Sequence, residues 1–386
     1  MLPYIESHPS LRLTAVCDSR SEALDDFKSK NVATCLSLEE MTAGETVDAV
    51  FVATPSWLHR EHSVALLTSG KHVLVEKPMA ISLAEADAMI TAAGRSRRAL
   101  IVGHSQSFEP AIQVMRAVVQ SGRLGALRAI NGLNYGDWMY RPRRPEEFER
   151  SRGGGVVYRQ AAHHVDVVRY LAGEEPNILR AAVGDWCRDR PGDGSYSVLL
   201  QFPGGVVATL FYSGYDHFSS DELTFAINES GRRRALHRAT ARGTEPESAP
   251  RGEGSRDEAP EPDRRTELLR PGPFPSTFGL MVVSCERGDM RICPEGVRIY
   301  GHGEQYVIPT AGLPAGRAAV LDEFVDAIEG QRTTHDGNWG RANLELCLSI
   351  LSSSDTCRQI EFAPSDLCGQ VTVPAVVVNH VEQFIQ

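Results

Sequence analysis

The strongest constraint on the fold is an alternation between short apolar runs and helical segments in the first hundred residues. LRLTAVCD from Leu11, DAVFVATP from Asp48 and KHVLVEKP from Lys71 are β-rich runs, and each precedes a segment with apolar residues at helical spacing. ALIVGHS from Ala99 closes the series. Because these runs are apolar without clean alternation, we expect strands buried on both faces, as in a parallel sheet with helices on each side.

The pattern changes after about Phe108. LRAINGLNYG, YSVLLQF and VVATLFYSGY alternate with period two, which predicts a sheet with one covered face. Pro203-Gly204-Gly205 separates the last two of these runs and predicts a hairpin. LDEFVDAIEG and ANLELCLSILSSS are amphipathic and predict two helices, whereas TVPAVVVN predicts a final strand.

We therefore predict an α/β protein with two domains. A Rossmann-type parallel-sheet domain is expected over residues 1–108, and an α+β domain with a large open mixed sheet over 109–355. Residues 356–386 are expected to form a C-terminal tail. Residues 239–266 lack Val, Ile, Leu, Phe, Met, Tyr and Trp and are rich in Pro, Gly, Glu and Arg, which predicts a disordered insertion.

Charge and cysteine content exclude several classes of protein. Forty basic against fifty acidic residues give a net charge of −10, which argues against nucleic acid or an anionic membrane as a partner. The eight cysteines form no C-x-x-C pair, and no stretch approaches the roughly 18 apolar residues of a membrane span, so we expect a reduced, cytoplasmic protein. We predict no metal site, because the adjacent His163 and His164 point to different helix faces and lack partners at ligand spacing.

Residues at the ends of the predicted strands are the first candidates for chemistry, because ligands of doubly wound sheets bind outside the carboxyl ends of the strands. These ends carry Asp18, Thr54-Pro55 and Glu76-Lys77-Pro78. Asp18 fits an acid that accepts hydrogen bonds from an adenosine ribose, and equally a helix N-terminal acid. Lys77 precedes a proline at the end of a buried strand, so its backbone is fixed. Burial would lower its pKa and let it deprotonate a hydroxyl; a solvated lysine in a turn is the alternative.

Several segments in succession resemble the signatures of the glucose-fructose oxidoreductase and inositol dehydrogenase (Gfo/Idh/MocA) superfamily. LDEFVDAIEG fits its closing helix, and the resemblance covers residues 11 to about 355. It implies a nicotinamide-binding domain and a mixed domain whose sheet forms both a substrate wall and an oligomer face, so we expect a homo-oligomer. The segments are TPSWLH (54–59), EKP (76–78), GHSQSFEP (103–110), SGRLGALRAI (121–130) and GGGVVYRQAAHHVDVVRYL (153–171).

The resemblance also implies roles for individual residues. It places Lys77 near the nicotinamide and the reacting carbinol, and His163, three residues before Asp166, as an acid or base; a structural histidine is the alternative. We predict Lys77 and His163 as catalytic. The predicted cofactor-binding residues are Asp18, Arg20, Thr54, Pro55, His59, Glu76 and Lys77, and the predicted substrate-binding residues are Arg141, Arg143, Arg159, His164 and Asp166.

The sequence departs from the family pattern at residue 159. Many members carry an acid four residues before the histidine, and this chain has Arg159 there. Residues 139–159 contain six arginines against three glutamates, a local excess of 6 − 3 = +3. Arginine binds carboxylates through two parallel hydrogen bonds, so we expect an anionic small-molecule substrate; a solvated basic loop remains an equal alternative.

Three further segments resemble the phthalate 4,5-cis-dihydrodiol dehydrogenase branch of the family, which oxidises a ring cis-diol bearing two carboxylates. They are WMYRPRRPEEF from Trp138, YRQAAHH from Tyr158 and GDWCRDRPGDGSY at 184–196. The implied reaction moves a hydride from a carbinol carbon to NAD(P) while a base takes the hydroxyl proton, and the hydroxyketone tautomerises to a catechol. A sugar or inositol dehydrogenase and a cofactor-free, non-catalytic homologue remain open alternatives.

A second departure concerns the phosphate-binding turn. No G-x-G-x-x-G precedes the first predicted strand, and MLPYIESHPS matches only the end of a first helix. We expect a strand, turn and helix of roughly 25 to 35 residues to be lacking, so that the Rossmann-type domain is incomplete. GRSRR (94–98) and GGG (153–155) do not follow a strand and open a helix, so neither replaces the turn. Asp18 favours NAD because it repels a 2′-phosphate, whereas Arg20 would admit NADP.

Overall fold

The computed structural model describes residues 1–28, 30, 32–43, 47–141, 143–215, 217–233, 272–314, 316–363 and 371–385. The insertion predicted at 239–266 lies outside the described residues. The helices are α1 Leu2–Ser7, α2 Asp25–Lys28, α3 Leu38–Ala43, α4 His59–Thr68, α5 Leu83–Ser96, α6 Pro110–Ser121, α7 Ala162–Ala172, α8 Gly316–Ile328, α9 Gly337–Thr356 and α10 Ala375–Glu382. The strands are β1 Ala15–Cys17, β2 Ala33–Cys35, β3 Ala49–Val52, β4 His72–Glu76, β5 Leu100–Gly103, β6 Leu127–Tyr135, β7 Ile178–Gly184, β8 Ser195–Gln201, β9 Val207–Ser213, β10 Leu280–Cys285, β11 Gly288–Cys293, β12 Gly296–Gly301, β13 Gln305–Pro309 and β14 Ile360–Glu361.

The first domain contains parallel strands, as its apolar runs predict. β1 pairs with β2, and β3, β4 and β5 form a second sheet in that order. Val73 and Val75 face one apolar core, and Leu74 faces another that includes Phe324 of α8, so β4 is buried on both faces. Within the described residues no strand joins the two sheets.

The second domain is built on a nine-stranded mixed sheet with the order β13-β12-β11-β10-β6-β9-β8-β7-β14. β6 and β9 pair in parallel and all other neighbours pair antiparallel. Ile130, Val198 and Leu210 are buried on the inner face, while Asn131 and Thr209 on the opposite face are exposed. The period-two prediction and the β8–β9 hairpin are therefore confirmed.

The prediction of a final strand at TVPAVVVN is wrong. Ala375–Glu382 forms helix α10, which begins after Pro374 and buries Val377 and Val381, four residues apart, against the core beside α6. A run of β-branched residues can be helical where packing selects one face. Upstream of α10, β14 pairs with β7, so the predicted tail contributes to the sheet. None of the described helices is long and apolar enough to cross a membrane.

Candidate active site

Lys77 lies at the carboxyl edge of the β3–β5 sheet, directly after β4, and a cis peptide bond joins it to Pro78. Its Nζ donates a hydrogen bond of 2.6 Å to the backbone carbonyl of Arg159 in the second domain. The side chain is half-buried. Burial lowers the pKa of Lys77 to about 8; Glu76 raises this pKa and the Arg159 guanidinium lowers it further. About a tenth of Lys77 is therefore a neutral amine at pH 7, far more than for a lysine with an ordinary pKa.

His163 lies within electrostatic range of Lys77, on the helix that follows a π-helical turn. Val157–Ala161 forms a π-helical turn that continues into α7, and His163 follows Arg159 by four residues. Burial and the Lys77 charge lower the pKa of His163 well below its usual value. Its Nδ1 is buried with no hydrogen-bond partner among the described residues, and its ring centroid lies 5.3 Å from that of Phe278. Lys77 and His163, from separate domains, therefore lie within electrostatic range of each other.

His164 and Asp166 are fully buried, in contrast to their predicted role in substrate binding. His164 Nδ1 lies 2.8 Å from the Tyr196 hydroxyl beneath the large sheet, and burial lowers the pKa of His164 to about 3. Asp166 accepts a hydrogen bond of 2.7 Å from Trp339 Nε1. Because neither side chain is accessible to a ligand in this conformation, we do not include them among the substrate contacts.

Asp166 instead belongs to a buried polar network that the sequence did not reveal. His335 Nε2 lies 2.8 Å from the Ser107 hydroxyl and 3.7 Å from Asp166, and His335 Nδ1 lies 3.0 Å from Glu323. Burial opposes charge on His335, but the Glu323 and Asp166 carboxylates raise its pKa overall. The network joins α7, α8 and the start of α9, and it holds the helix that carries His163 in position.

Four of the six arginines that predicted an anion site form ion pairs within the protein. Arg141 Nε donates to Asp137 at 2.6 Å, and Arg143 donates to Glu147 at 3.2 Å and lies over the Trp138 ring. Arg150 pairs with Asp193 and Asp355, and Arg152 pairs with Glu146 and Glu149.

Arg159 differs from these neighbours. In the described part of the chain no carboxylate lies within ion-pair distance of its guanidinium, and its buried Nε has no hydrogen-bond partner. Burial lowers the pKa of Arg159, and the charge of Glu147 partly offsets this by raising it. Of the three arginines predicted to bind substrate, Arg159 is therefore the one whose charge is available to a ligand.

The predicted cofactor residues lie at the carboxyl ends of β1, β3 and β4. The Asp18 carboxylate accepts two hydrogen bonds from the Arg20 guanidinium, at 2.9 and 3.1 Å, and the Arg20 side-chain bond keeps the Asp18 pKa low. His59 is buried, with its ring nitrogens each 2.8 Å from the carbonyls of Thr54 and Pro78. His59 therefore ties the two strand-end loops together and does not face a ligand.

These residues fit the two ends of a dinucleotide. An ionised carboxylate after β1 suits the ribose hydroxyls, and a cation after β4 suits the reacting end. The glycine turn that would admit the pyrophosphate is not part of this sequence. Among the described residues no group of three His, Cys, Asp or Glu side chains is placed to hold a metal ion.

A parallel-sheet domain with an acid and a lysine at its strand ends, next to a mixed-sheet domain with a half-buried histidine, defines a dinucleotide-dependent oxidoreductase. The chain belongs to the Gfo/Idh/MocA oxidoreductase family. Residues 1–104 match the family model for the oxidoreductase family with an NAD-binding Rossmann fold, and residues 112–231 match the model for the GFO/IDH/MocA C-terminal domain.

Comparison with individual relatives shows which oxidoreductases this chain is similar to. The chain is 35% identical over 364 residues to 1-carboxy-3-chloro-3,4-dihydroxycyclohexa-1,5-diene dehydrogenase of Comamonas testosteroni, which covers 91% of this chain and 90% of the relative. A solved structure from Bordetella bronchiseptica RB50, provisionally assigned as a dehydrogenase, is 36% identical with a TM-score of 0.83 over 94% of this chain and 96% of that one. Inositol 2-dehydrogenase of Rhizobium meliloti is 25% identical and covers 55% of this chain and 66% of the relative. The protein is an NAD-dependent oxidoreductase.

Proposed function

We propose that this protein oxidises a carboxylated cis-dihydrodiol. The observation that carries the proposal is the 2.6 Å bond from Lys77 Nζ to the Arg159 carbonyl. It joins a base with a lowered pKa to a residue whose guanidinium has no carboxylate partner among the described residues and whose charge acts on Lys77. The similarity to the Comamonas enzyme, whose name describes a carboxylated dihydroxycyclohexadiene, supports the same substrate class.

The residues would divide the chemistry as follows. When bound at the strand ends, NAD supplies the acceptor for the hydride that leaves the carbinol carbon. Neutral Lys77 takes the proton of the reacting hydroxyl, and neutral His163 holds that hydroxyl by a hydrogen bond. Arg159 pairs with the substrate carboxylate. The diol thereby becomes a hydroxyketone, and its tautomerisation to a catechol drives the reaction forward.

We favour NAD over NADP as the cofactor that Asp18 selects. The carboxylate is ionised, and the one guanidinium beside it, Arg20, is already bonded to Asp18 through two nitrogens. A 2′-phosphate would therefore meet a negative charge and an occupied arginine. The cofactor preference can be measured as the ratio of kcat/KM with NAD to that with NADP, which we expect to exceed one.

The proposal is tested with the purified protein in two steps. NADH binding is measured first by fluorescence titration. A carboxylated cis-dihydrodiol and NAD are then followed at the absorbance of reduced nicotinamide. Binding without turnover of the dihydrodiol would remove the substrate assignment.

A sugar or inositol substrate is the second candidate, and the similarity to the Rhizobium enzyme favours it. A neutral polyol leaves Arg159 without a partner, so we rank this candidate lower. Higher kcat/KM for myo-inositol than for the carboxylated dihydrodiol would reverse the ranking.

The pH dependence of kcat/KM separates the two candidate bases. Because the pKa of Lys77 is lowered to about 8, its neutral form is lost as the pH falls below 8. We expect kcat/KM to be level above about pH 8 and to fall tenfold per pH unit below it. Since His163 has a pKa well below 6.5, a profile that stays level down to pH 6.5 would assign the base to His163.

We also propose that the protein is a homo-oligomer joined through the outer face of the nine-stranded sheet. The side chains of Leu133, Phe211, Leu280 and Val282 on this face are only half-buried. They line a shallow cavity of about 290 Å³ together with polar Asn131 and Thr209. A mostly apolar sheet face with a polar border is the composition of a subunit interface.

Replacing Phe211 with Glu is expected to dissociate this oligomer, because a charge would be buried without a partner. Sedimentation velocity should show a smaller species than the unmodified protein. Val376→Glu places the same charge at an exposed apolar residue of α10 and should leave the oligomer intact. A parent protein that sediments as a monomer would refute the proposal.

A further inference from the structure

The loop that follows β9 carries an acidic residue that the predicted site did not include. Phe225 and Ala226 both have a φ of 61°, in the left-handed region that non-glycine residues rarely adopt. The Ser276 hydroxyl donates a hydrogen bond of 2.7 Å to the backbone carbonyl of Glu229. A strained backbone that is held by hydrogen bonds often marks a functional loop. The loop therefore holds the backbone of Glu229 in a defined position.

The same contacts bring Glu229 to the catalytic pair. Phe278, two residues after Ser276, packs against the His163 ring. The Glu229 carboxylate lies within electrostatic range of Lys77 and Arg141. Glu229 is exposed to solvent, yet burial raises its pKa. The Glu229 side chain is therefore accessible to a ligand that lies near Lys77.

The hydrogen-bond donors and acceptors of the site show which contact the Glu229 carboxylate can make with a diol. A cis-diol offers two hydroxyl protons. Neutral Lys77 accepts one of them, whereas the Arg159 guanidinium can only donate. Glu76 belongs to the sheet edge that binds the cofactor. A second acceptor is needed for the hydroxyl that does not react, and an ionised carboxylate is the strongest one available.

We propose that Glu229 is a substrate-binding residue whose carboxylate accepts a hydrogen bond from the non-reacting hydroxyl of the diol. This inference rests on the proposed function and deepens it: Glu229 selects vicinal diols over single alcohols. Its negative charge also faces Lys77 and stabilises the ammonium that forms when Lys77 takes the reacting proton.

The test compares Glu229→Gln with Glu222→Gln, which removes an exposed carboxylate from the same loop. Two substrates are used: 3,4-cis-dihydroxycyclohexa-1,5-diene-1-carboxylate, and its analogue without the non-reacting hydroxyl. We expect Glu229→Gln to lower kcat/KM for the diol by about 10- to 100-fold, the range for a charge-assisted hydrogen bond. The single alcohol should lose only about threefold, through the change in the pKa of Lys77. Glu222→Gln should change neither.

A second measurement needs neither substrate nor cofactor. The rate of Lys77 acetylation is followed by peptide mass spectrometry across a pH series. Because the Glu229 charge raises the pKa of Lys77, its removal should move half-maximal acetylation to lower pH, by about half a unit or more. The Glu222→Gln profile should match that of the parent protein.

The outcomes separate this inference from the proposed function. An unchanged acetylation profile in Glu229→Gln, or equal losses on the diol and the single alcohol, would overturn the role of Glu229. If the parent protein turns over neither substrate, the proposed function fails and the diol contact fails with it. The acetylation profile then decides whether Glu229 faces Lys77 at all.

Discussion

Replacing Lys77 with Met is expected to lower kcat/KM for a carboxylated dihydrodiol by about 1,000-fold, within the range for a general base. Methionine keeps much of the length of the side chain but cannot accept a proton. The loss should appear in kcat, because Lys77 acts on the reacting hydroxyl and not on the carboxylate. Initial rates of NADH formation under saturating NAD give both constants.

Lys71→Met is the matched control for this variant. Lys71 precedes β4 and therefore lies at the opposite end of the strand from Lys77, away from the proposed site. It should retain parental kcat/KM. Circular dichroism and NADH titration of both variants check that the fold and the cofactor site persist. More than a tenth of parental activity in a folded Lys77→Met protein would remove Lys77 from the mechanism.

The fold was predictable where the pattern is local. Strands that are apolar throughout predicted the parallel sheet, and period-two runs around Pro203-Gly204-Gly205 predicted the β8–β9 hairpin. Helix α10 was missed because a short run of β-branched residues fits a strand and a helix equally, and only its packing beside α6 decides between them.

The candidate site was predictable in part for the same reason. Lys77 could be recognised because strand ends in a parallel sheet meet at one edge. The pairing of Arg141 with Asp137 and of Arg143 with Glu147 was also within reach, since both pairs are four residues apart. That spacing identifies Arg141 and Arg143 as members of the basic cluster whose charge is already paired.

Other parts of the site depend on contacts between distant segments. Glu229 comes within electrostatic range of Lys77 through the loop after β9, which Ser276 holds, and no local pattern marks it. His335 contacts Asp166 and Ser107, although both precede it by more than 160 residues in the sequence. The role of Asp166 as a member of this network could not be distinguished from substrate binding before the burial of its side chain was known.

Replacing Arg159 with Met is expected to act on the substrate carboxylate and not on the chemistry. We expect kcat/KM for the carboxylated dihydrodiol to fall about 100-fold, equivalent to about 2.8 kcal/mol, as when one partner of a desolvated charge pair is lost. The same dihydrodiol without its carboxylate should be a poor substrate for the parent protein and should lose little more in the variant.

Arg141→Met is the comparison, because Arg141 is already paired with Asp137 and should change kcat/KM for the carboxylated substrate by less than about threefold. The Lys77 hydrogen bond to residue 159 uses a backbone carbonyl, so the variant keeps it. Because the Arg159 charge lowers the pKa of Lys77, its loss should move the pH profile to higher pH without changing the slope. Equal losses on the charged and uncharged dihydrodiols would show that Arg159 supports the site without binding the anion.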